Sequence, residues 1–259
     1  MNTLVAGNSH IVGFKAAAES VGATLTYIPI PLCQNFEEAV MSGAGYFELE
    51  AGWKNLSSTI GGRRINLRYD FSQANKKLIF VGMKLFGCFS IFSPLISAKN
   101  GRPFLICPGN GNLAIPDHRK YQLISEACLK QIFFSKLAAD IADYSWLFEK
   151  FDRIYWIPSP PTSHQFAEVK FLREHLWFIK SGLHARYLLI FNECLDHINK
   201  TDVARSAGVT FLRHPGNCID PQTGFLLPEY SFDRSIQADI HASGKYYEEF
   251  LSEAIEERN

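Results

Sequence analysis

Leu4-Val5-Ala6-Gly7-Asn8-Ser9-His10, running on into Ile11-Val12-Gly13-Phe14-Lys15-Ala16-Ala17-Ala18-Glu19-Ser20, is the stretch on which the architecture turns. An apolar run of strand length crosses Gly-Asn-Ser into a segment rich in good helix formers. Residues 3–6 therefore predict a strand and residues 10–21 a helix, with Ser9 at the change from one to the other. The alternation recurs along the chain. Residues 24–30 predict a strand stopped by Pro29 and Pro31, residues 78–81 a continuous apolar strand buried on both faces, residues 153–157 another strand, and residues 209–212 a last one. Helical spacing runs through 117–151 on Leu123, Ile124, Ala127, Cys128, Ile132, Phe133 and Leu137. It runs again through 163–199 on Phe171, Leu172, Leu176, Ile179, Leu183, Tyr187 and Phe191, and through 242–256, with a capped turn at 201–204. Residues 33–68 are irregular and glycine-punctuated, and 86–96 are apolar and aromatic. Strands separated by helices predict an α/β fold of three layers, α/β/α, around a central, mostly parallel sheet.

Composition narrows the function classes. With 259 residues, 47% of them hydrophobic, the chain can bury one full core, and a single domain over 1–259 is expected. Lys+Arg and Asp+Glu are both 26, so there is no net field to gather polyphosphate, and nucleic acid is excluded as an expected partner. No uncharged run reaches the length of a membrane span and no leader-like segment opens the sequence, so no membrane span and a cytoplasmic location are expected. The six cysteines form no CxxC pair and read as reduced core thiols. His164, His175 and His184 have no metal-ligand spacing and no HExxH accompanies them, so neither metal nor cofactor is expected. Gly61-Gly62-Arg63-Arg64 lacks the ending of a phosphate loop and reads as a solvated turn. The aromatic content of 14% suits carbohydrate stacking and a large core equally.

A serine where a strand becomes a helix has two uses. It is a favoured helix N-cap. It is also well placed for a nucleophile, because the N–H groups of the helix N-terminus and the helix dipole face any oxyanion formed beside its hydroxyl. A serine nucleophile needs a base and the base an orienting partner. Asp239-Ile240-His241, just before the last predicted helix, contains both, with Asp233 as the alternative acid. His10 follows the serine, but adjacent residues at a helix start point about 100° apart, so it is expected in a supporting or surface position, as Asn8 is expected to brace the turn.

Gly7-Asn8-Ser9-His10 after the first strand, together with Asp239-Ile240-His241-Ala242-Ser243, resembles the SGNH (GDSL-like) hydrolases, in particular bacterial members found with surface-polysaccharide genes. The likeness extends over most of the chain. Residues 154–161 (IYWIPSPP) are similar to the strand and Pro-rich turn before the family's penultimate helix, and 207–211 with 220–230 to its last strand and following loop. The resemblance implies a flavodoxin-like three-layer fold and a serine esterase or O-acyltransferase acting on a small-molecule or glycan ester, with Ser9, His241 and Asp239 catalytic. Ser9 and Gly82 N–H groups would line the oxyanion hole. Two departures stand out. The family's acid usually lies three residues before the histidine, where this chain has Ala238. And where many relatives show Gly-Gly-Asn, this chain reads Gly82-Met83-Lys84-Leu85-Phe86-Gly87, so Asn110 or Asn112 is the candidate replacement donor. These departures keep a second expectation open, a non-catalytic module of the same fold that binds a glycan or a protein.

Overall fold

The computed structural model describes residues 3–7, 10–29, 46–47, 69–70, 77–82, 104–106, 122–161, 163, 182–231 and 242–255. The chain is an α/β protein with three layers. Its strands are β1 (Thr3–Gly7), β2 (Thr26–Pro29), β3 (Tyr46–Phe47), β4 (Tyr69–Asp70), β5 (Lys77–Val81), β6 (Phe104–Ile106), β7 (Gln122–Ile124), β8 (Arg153–Ile157) and β9 (Val209–Phe211). Five of them form one all-parallel sheet in the order β2-β1-β5-β8-β9, while β3 pairs antiparallel with β4 and β6 parallel with β7. The helices are α1 (Ile11–Ser20), α2 (Glu126–Asp143), α3 (Ser145–Phe148), α4 (Leu183–Ile198), α5 (Asp202–Ser206) and α6 (Gly244–Ala254).

The pleat sorts the strand side chains into two cores. Leu4, Ala6, Leu78, Phe80, Ile154, Trp156, Val209 and Phe211 face α2 and α4. Val5, Ile79, Val81, Ile157 and Leu212 face α1 and α6. All five residues of β5 are buried, as its continuous apolar run predicts for a central strand covered on both sides. Trp156 is the hub of the first core, edge-on to Phe80 at 4.9 Å and to Tyr144 at 5.7 Å and stacked on Phe211 at 5.0 Å. On the other face Phe14 of α1 meets the Tyr247 ring of α6 edge-on at 6.1 Å.

Connectivity defines a switch point. From β1 the chain passes through α1 to β2 on one side of the sheet, and the later strands β5, β8 and β9 are laid down on the other. A right-handed crossover puts the connecting helices of opposite directions on opposite faces, which is why α1 lies on one face and α2 and α4 on the other. The two directions part between β1 and β5, whose carboxyl ends meet in the pair Gly7 and Val81. Open α/β sheets bind ligands at this place.

One predicted helix is corrected. Within 117–151, Leu123 and Ile124 belong to strand β7, with Leu123 48% exposed, and the helix starts only after Ser125, whose Oγ accepts from the Cys128 N–H at 3.1 Å. Ala127 and Cys128, expected on the apolar stripe, are exposed. The buried stripe is Leu129, Phe133, Leu137, Asp140 and Ile141. Cys194 and Cys218 are buried free thiols, as expected of core cysteines, while Cys128 is free and exposed. Of the stretch 163–199, residues 164–181 lie outside the described residues, as do 86–96 and, apart from β3, 33–68. Among the described residues no helix is long and apolar enough to cross a membrane, and no three His, Cys, Asp or Glu side chains gather as a metal site.

Candidate active site

At the switch point the chain approaches itself closely. A Cβ added to Gly7, the last residue of β1, would overlap the Val81 carbonyl oxygen of β5, so only glycine lets these two strand ends lie side by side. His10 opens α1 with helical backbone (φ −66°, ψ −16°), its carbonyl accepting the Phe14 N–H at 3.4 Å. Its side chain is 6% exposed, so of the two expected positions it takes the inner one. The first turn of α1 carries no acidic residue, so no side chain of that turn offsets the positive end of the helix dipole at the point where the chain leaves β1.

The C-terminal part of the chain is brought to the same place. Ala242 bridges to Ser231, and the Ser243 N–H donates to the Tyr230 carbonyl at 2.8 Å. These bonds tie the start of α6 to the segment at 230–231, and α6 packs on α1. Gly13 is the point of contact, since a Cβ there would lie 2.5 Å from the Tyr247 ring and 2.8 Å from the Ala242 carbonyl oxygen. Two hydroxyls in this seam, Tyr247 Oη and Ser243 Oγ, are buried without a hydrogen-bond partner among the described residues, and burial pushes the Tyr247 phenol far above its ordinary pKa. Neither has a sequence signal: a tyrosine and a serine at the start of an amphipathic helix read as packing and as an N-cap, and the Ser243 side chain makes no cap bond.

Asn8, Ser9, Asn110, Asn112, Asp233, Asp239 and His241 lie outside the described residues. Gly82 lies inside them, and its expected role is corrected. Its N–H donates to the Ile157 carbonyl at 2.9 Å, extending the β5·β8 ladder by one residue, and its own carbonyl accepts the Ser159 hydroxyl at 2.9 Å. An N–H committed to a strand partner is not presented to an oxyanion. The positive φ of 68° explains the glycine here as a backbone requirement at the end of β5. The Ser159 hydroxyl is thus a structural tie between the ends of β5 and β8.

The remaining buried histidines belong to other parts of the molecule. His184 Nδ1 stands 2.6 Å from the Thr223 carbonyl, and desolvation lowers its pKa to about 4. His214 Nδ1 stands 2.8 Å from the Tyr246 hydroxyl, and desolvation lowers its pKa to about 3. Both rings are neutral at ordinary pH.

Compared with models of protein families, with curated proteins and with solved structures, the chain matches none.

Proposed function

We propose that the chain is an SGNH-type serine esterase or O-acyltransferase of the cytoplasm, acting on a small, acetyl-like ester of a sugar or glycan precursor through Ser9, His241 and Asp239. The observation that carries this reading is the meeting of the two chain ends at the sheet's switch point. The first turn of α1 and the residues opening α6 pack together around Gly13, over the core face that carries Val5 of β1. Ser9 is the covalent neighbour of His10, and His241 of Ala242.

In this mechanism His241 takes the Ser9 proton as the hydroxyl attacks the ester carbonyl, and Asp239 holds the imidazole and balances its charge. The tetrahedral oxyanion is stabilised by the N–H groups and dipole at the start of α1. His241 then gives its proton to the departing alcohol and activates water; a second alcohol in place of water makes the reaction an acyl transfer. With the Gly82 N–H engaged by Ile157, a further oxyanion donor falls to Asn110 or Asn112. The absence of one donor costs roughly 3 kcal/mol of transition-state stabilisation.

That same Gly82 bond favours the second reading, a non-catalytic module that binds a glycan or a protein through the crevice. A fluorophosphonate probe separates the two. The esterase reading expects one covalent adduct by intact mass, absent in Ser9→Ala, with the thermal midpoint of the variant within a degree or two of the parent. An unlabelled but folded parent protein overturns catalysis and leaves the binding module.

A further inference from the structure

The sheet ends at β9, and beside this edge, between α4 and the second half of α6, lies a cleft of about 860 Å³. That volume falls among those of small-molecule sites. The cleft is separate from the crevice between β1 and β5, because β9 stands three strands from β1 in the sheet order, roughly 14 Å at about 4.8 Å per strand. The free edge of the sheet and the segment that follows it, residues 210–216, line the cleft, so the backbone is part of what a ligand meets.

Along an edge strand the backbone groups of successive residues turn alternately toward the neighbouring strand and away from it. The Leu212 N–H donates inward, to the Trp156 carbonyl of β8 at 2.9 Å. Phe211 faces outward, and there the Asn199 side-chain amide donates to its carbonyl and accepts its N–H, both at 2.8 Å. An amide group is therefore already seated on this edge, donor to acceptor at both ends. Side chains show that the extended run continues to the next outward residue. Phe211 lies in the core under α4 and Leu212 in the core under α6, and Arg213 returns to the α4 side, where its guanidinium meets Asp196 at 3.1 Å. The Arg213 N–H and carbonyl repeat the Phe211 pair about 6.6 Å further along, and neither has a hydrogen bond among the described residues.

A second observation does not depend on the backbone. Asn192 of α4 lines the same cleft and is 7% exposed. Its Oδ1 accepts the N–H of His214, the residue after Arg213, at 3.2 Å. Its Nδ2 keeps access to solvent and has no partner among the described residues. A side-chain amide donor that is nine-tenths buried thus stands beside the open Arg213 pair. The guanidiniums that line the cleft are matched, Arg213 by Asp196 and Arg186 by Glu126 with two bonds of 2.7 and 2.6 Å, so the unmet groups ask for neutral amide chemistry rather than for an anion. Leu189, 44% exposed, adds an apolar wall on the α4 side, and Phe250 one on the α6 side.

We propose that the cleft beside β9 binds a short peptide in extended conformation. One residue of the peptide gives its N–H to the Arg213 carbonyl and its own carbonyl to the Arg213 N–H, the exchange made by an antiparallel pair, and a neighbouring carbonyl accepts from Asn192 Nδ2. Main-chain pairing of this kind supplies affinity at sheet edges. Asn199 occupies the edge at Phe211 and confines the pairing to Arg213, so the peptide is anchored at one point instead of adding a whole strand. The site is independent of any chemistry at Ser9.

The test is a titration of the full ¹⁵N-labelled chain with acetyl-Ala-Val-Ala methyl ester and with its counterpart N-methylated at all three residues, which keeps the carbonyls and loses every N–H. The expected result is a saturable shift with the first peptide in the backbone amides of Arg213 and His214 and in the Asn192 side-chain amide, and binding at least tenfold weaker for the second. Arg213→Pro should bind the peptide at least tenfold more weakly than Arg213→Ala, because both lose the guanidinium and only the first loses the N–H; an outward-facing edge position accommodates proline. Should the proline variant fail to fold, hydrogen exchange of the Arg213 amide in the parent gives the same reading, since saturating peptide should slow it at least tenfold. The proposal is overturned if the peptide produces no saturable shift, if the N-methylated peptide binds as tightly, if Arg213→Pro binds as Arg213→Ala does, or if the Arg213 amide exchanges as fast with peptide as without it. Labelling of Ser9 has no part in the readout, so neither result depends on the esterase reading.

Discussion

Tyr247 carries the clearest prediction at the scale of a residue. Its hydroxyl is fully buried beside Gly13 and has no hydrogen-bond partner among the described residues, so the folded chain bears the desolvation of that group without return from them. Tyr247→Phe keeps the ring against Phe14 and removes the unsatisfied oxygen; the thermal midpoint should hold or rise, by up to about 1 kcal/mol in stability. If the substitution instead lowers stability, the hydroxyl has a partner in solution. The acid of the proposed triad can be tested in the same manner. Asp239→Asn should reduce esterase turnover by orders of magnitude, because an amide can hold the wrong imidazole tautomer and offers no charge to the imidazolium. A larger loss with Asp233→Asn would transfer the role to that residue. What single residues disclose in advance depends on the kind of constraint they meet. Gly7 lies just past the strand expected over 3–6, yet it is the last residue of β1, and its overlap with Val81 arises from a strand far away in sequence; the same holds for the Gly82 N–H, whose partner Ile157 lies on a different strand.

At the scale of elements, the two-sided burial of β5 and β8 made their sequences continuous or nearly continuous in apolar residues, and both were readable to within a residue at either end. The opening of α2 was not. Leu123 and Ile124 fit a helical period by chance, and it is their pairing with β6, a long-range event with no local signal, that makes them strand. Strength of packing follows the same division. Trp156 is fully buried and touches Phe80, Tyr144, Phe148 and Phe211 from a central strand, so Trp156→Ala should cost about 3–5 kcal/mol, measured by urea denaturation. The α1·α6 seam answers differently, because it is tight rather than large. Gly13→Ala drives a methyl into the Tyr247 ring and the Ala242 carbonyl. It should cost about 1–3 kcal/mol and, by moving α6 away from α1, should depress probe labelling of Ser9 more than Trp156→Ala does at equal residual stability. Equal labelling in the two variants would separate the seam from the proposed site.

Across the whole molecule, the first strand, the parallel sheet and the last helix were foreseeable from the alternation of strand and helix patterns, whereas the lateral cleft was not, since the segments that line it share no motif. Two buried histidines near this cleft also set the protein's response to acid. His184 holds the 220–224 turn against α4 through the Thr223 carbonyl, and His214 links the segment after β9 to α6 through Tyr246. Their folded pKa values, about 4 and about 3, lie below the ordinary histidine value of 6.5 because burial disfavours the imidazolium. Between pH 6.5 and 4 the unfolded chain therefore binds protons that the folded chain refuses, and stability rises with pH across that window. The contribution is complete above pH 6.5 and is lost as the pH falls through the folded values, on the order of 3 kcal/mol for His184 alone. Urea midpoints should accordingly be level above pH 7 and fall steadily below 6.5. His184→Gln and His214→Gln, though each less stable at neutral pH, should each flatten that fall, and the double variant should flatten it most. A parent midpoint unchanged from pH 7 to pH 4 would mean that these rings open to water and take up protons without loosening the turn or the α6 contact.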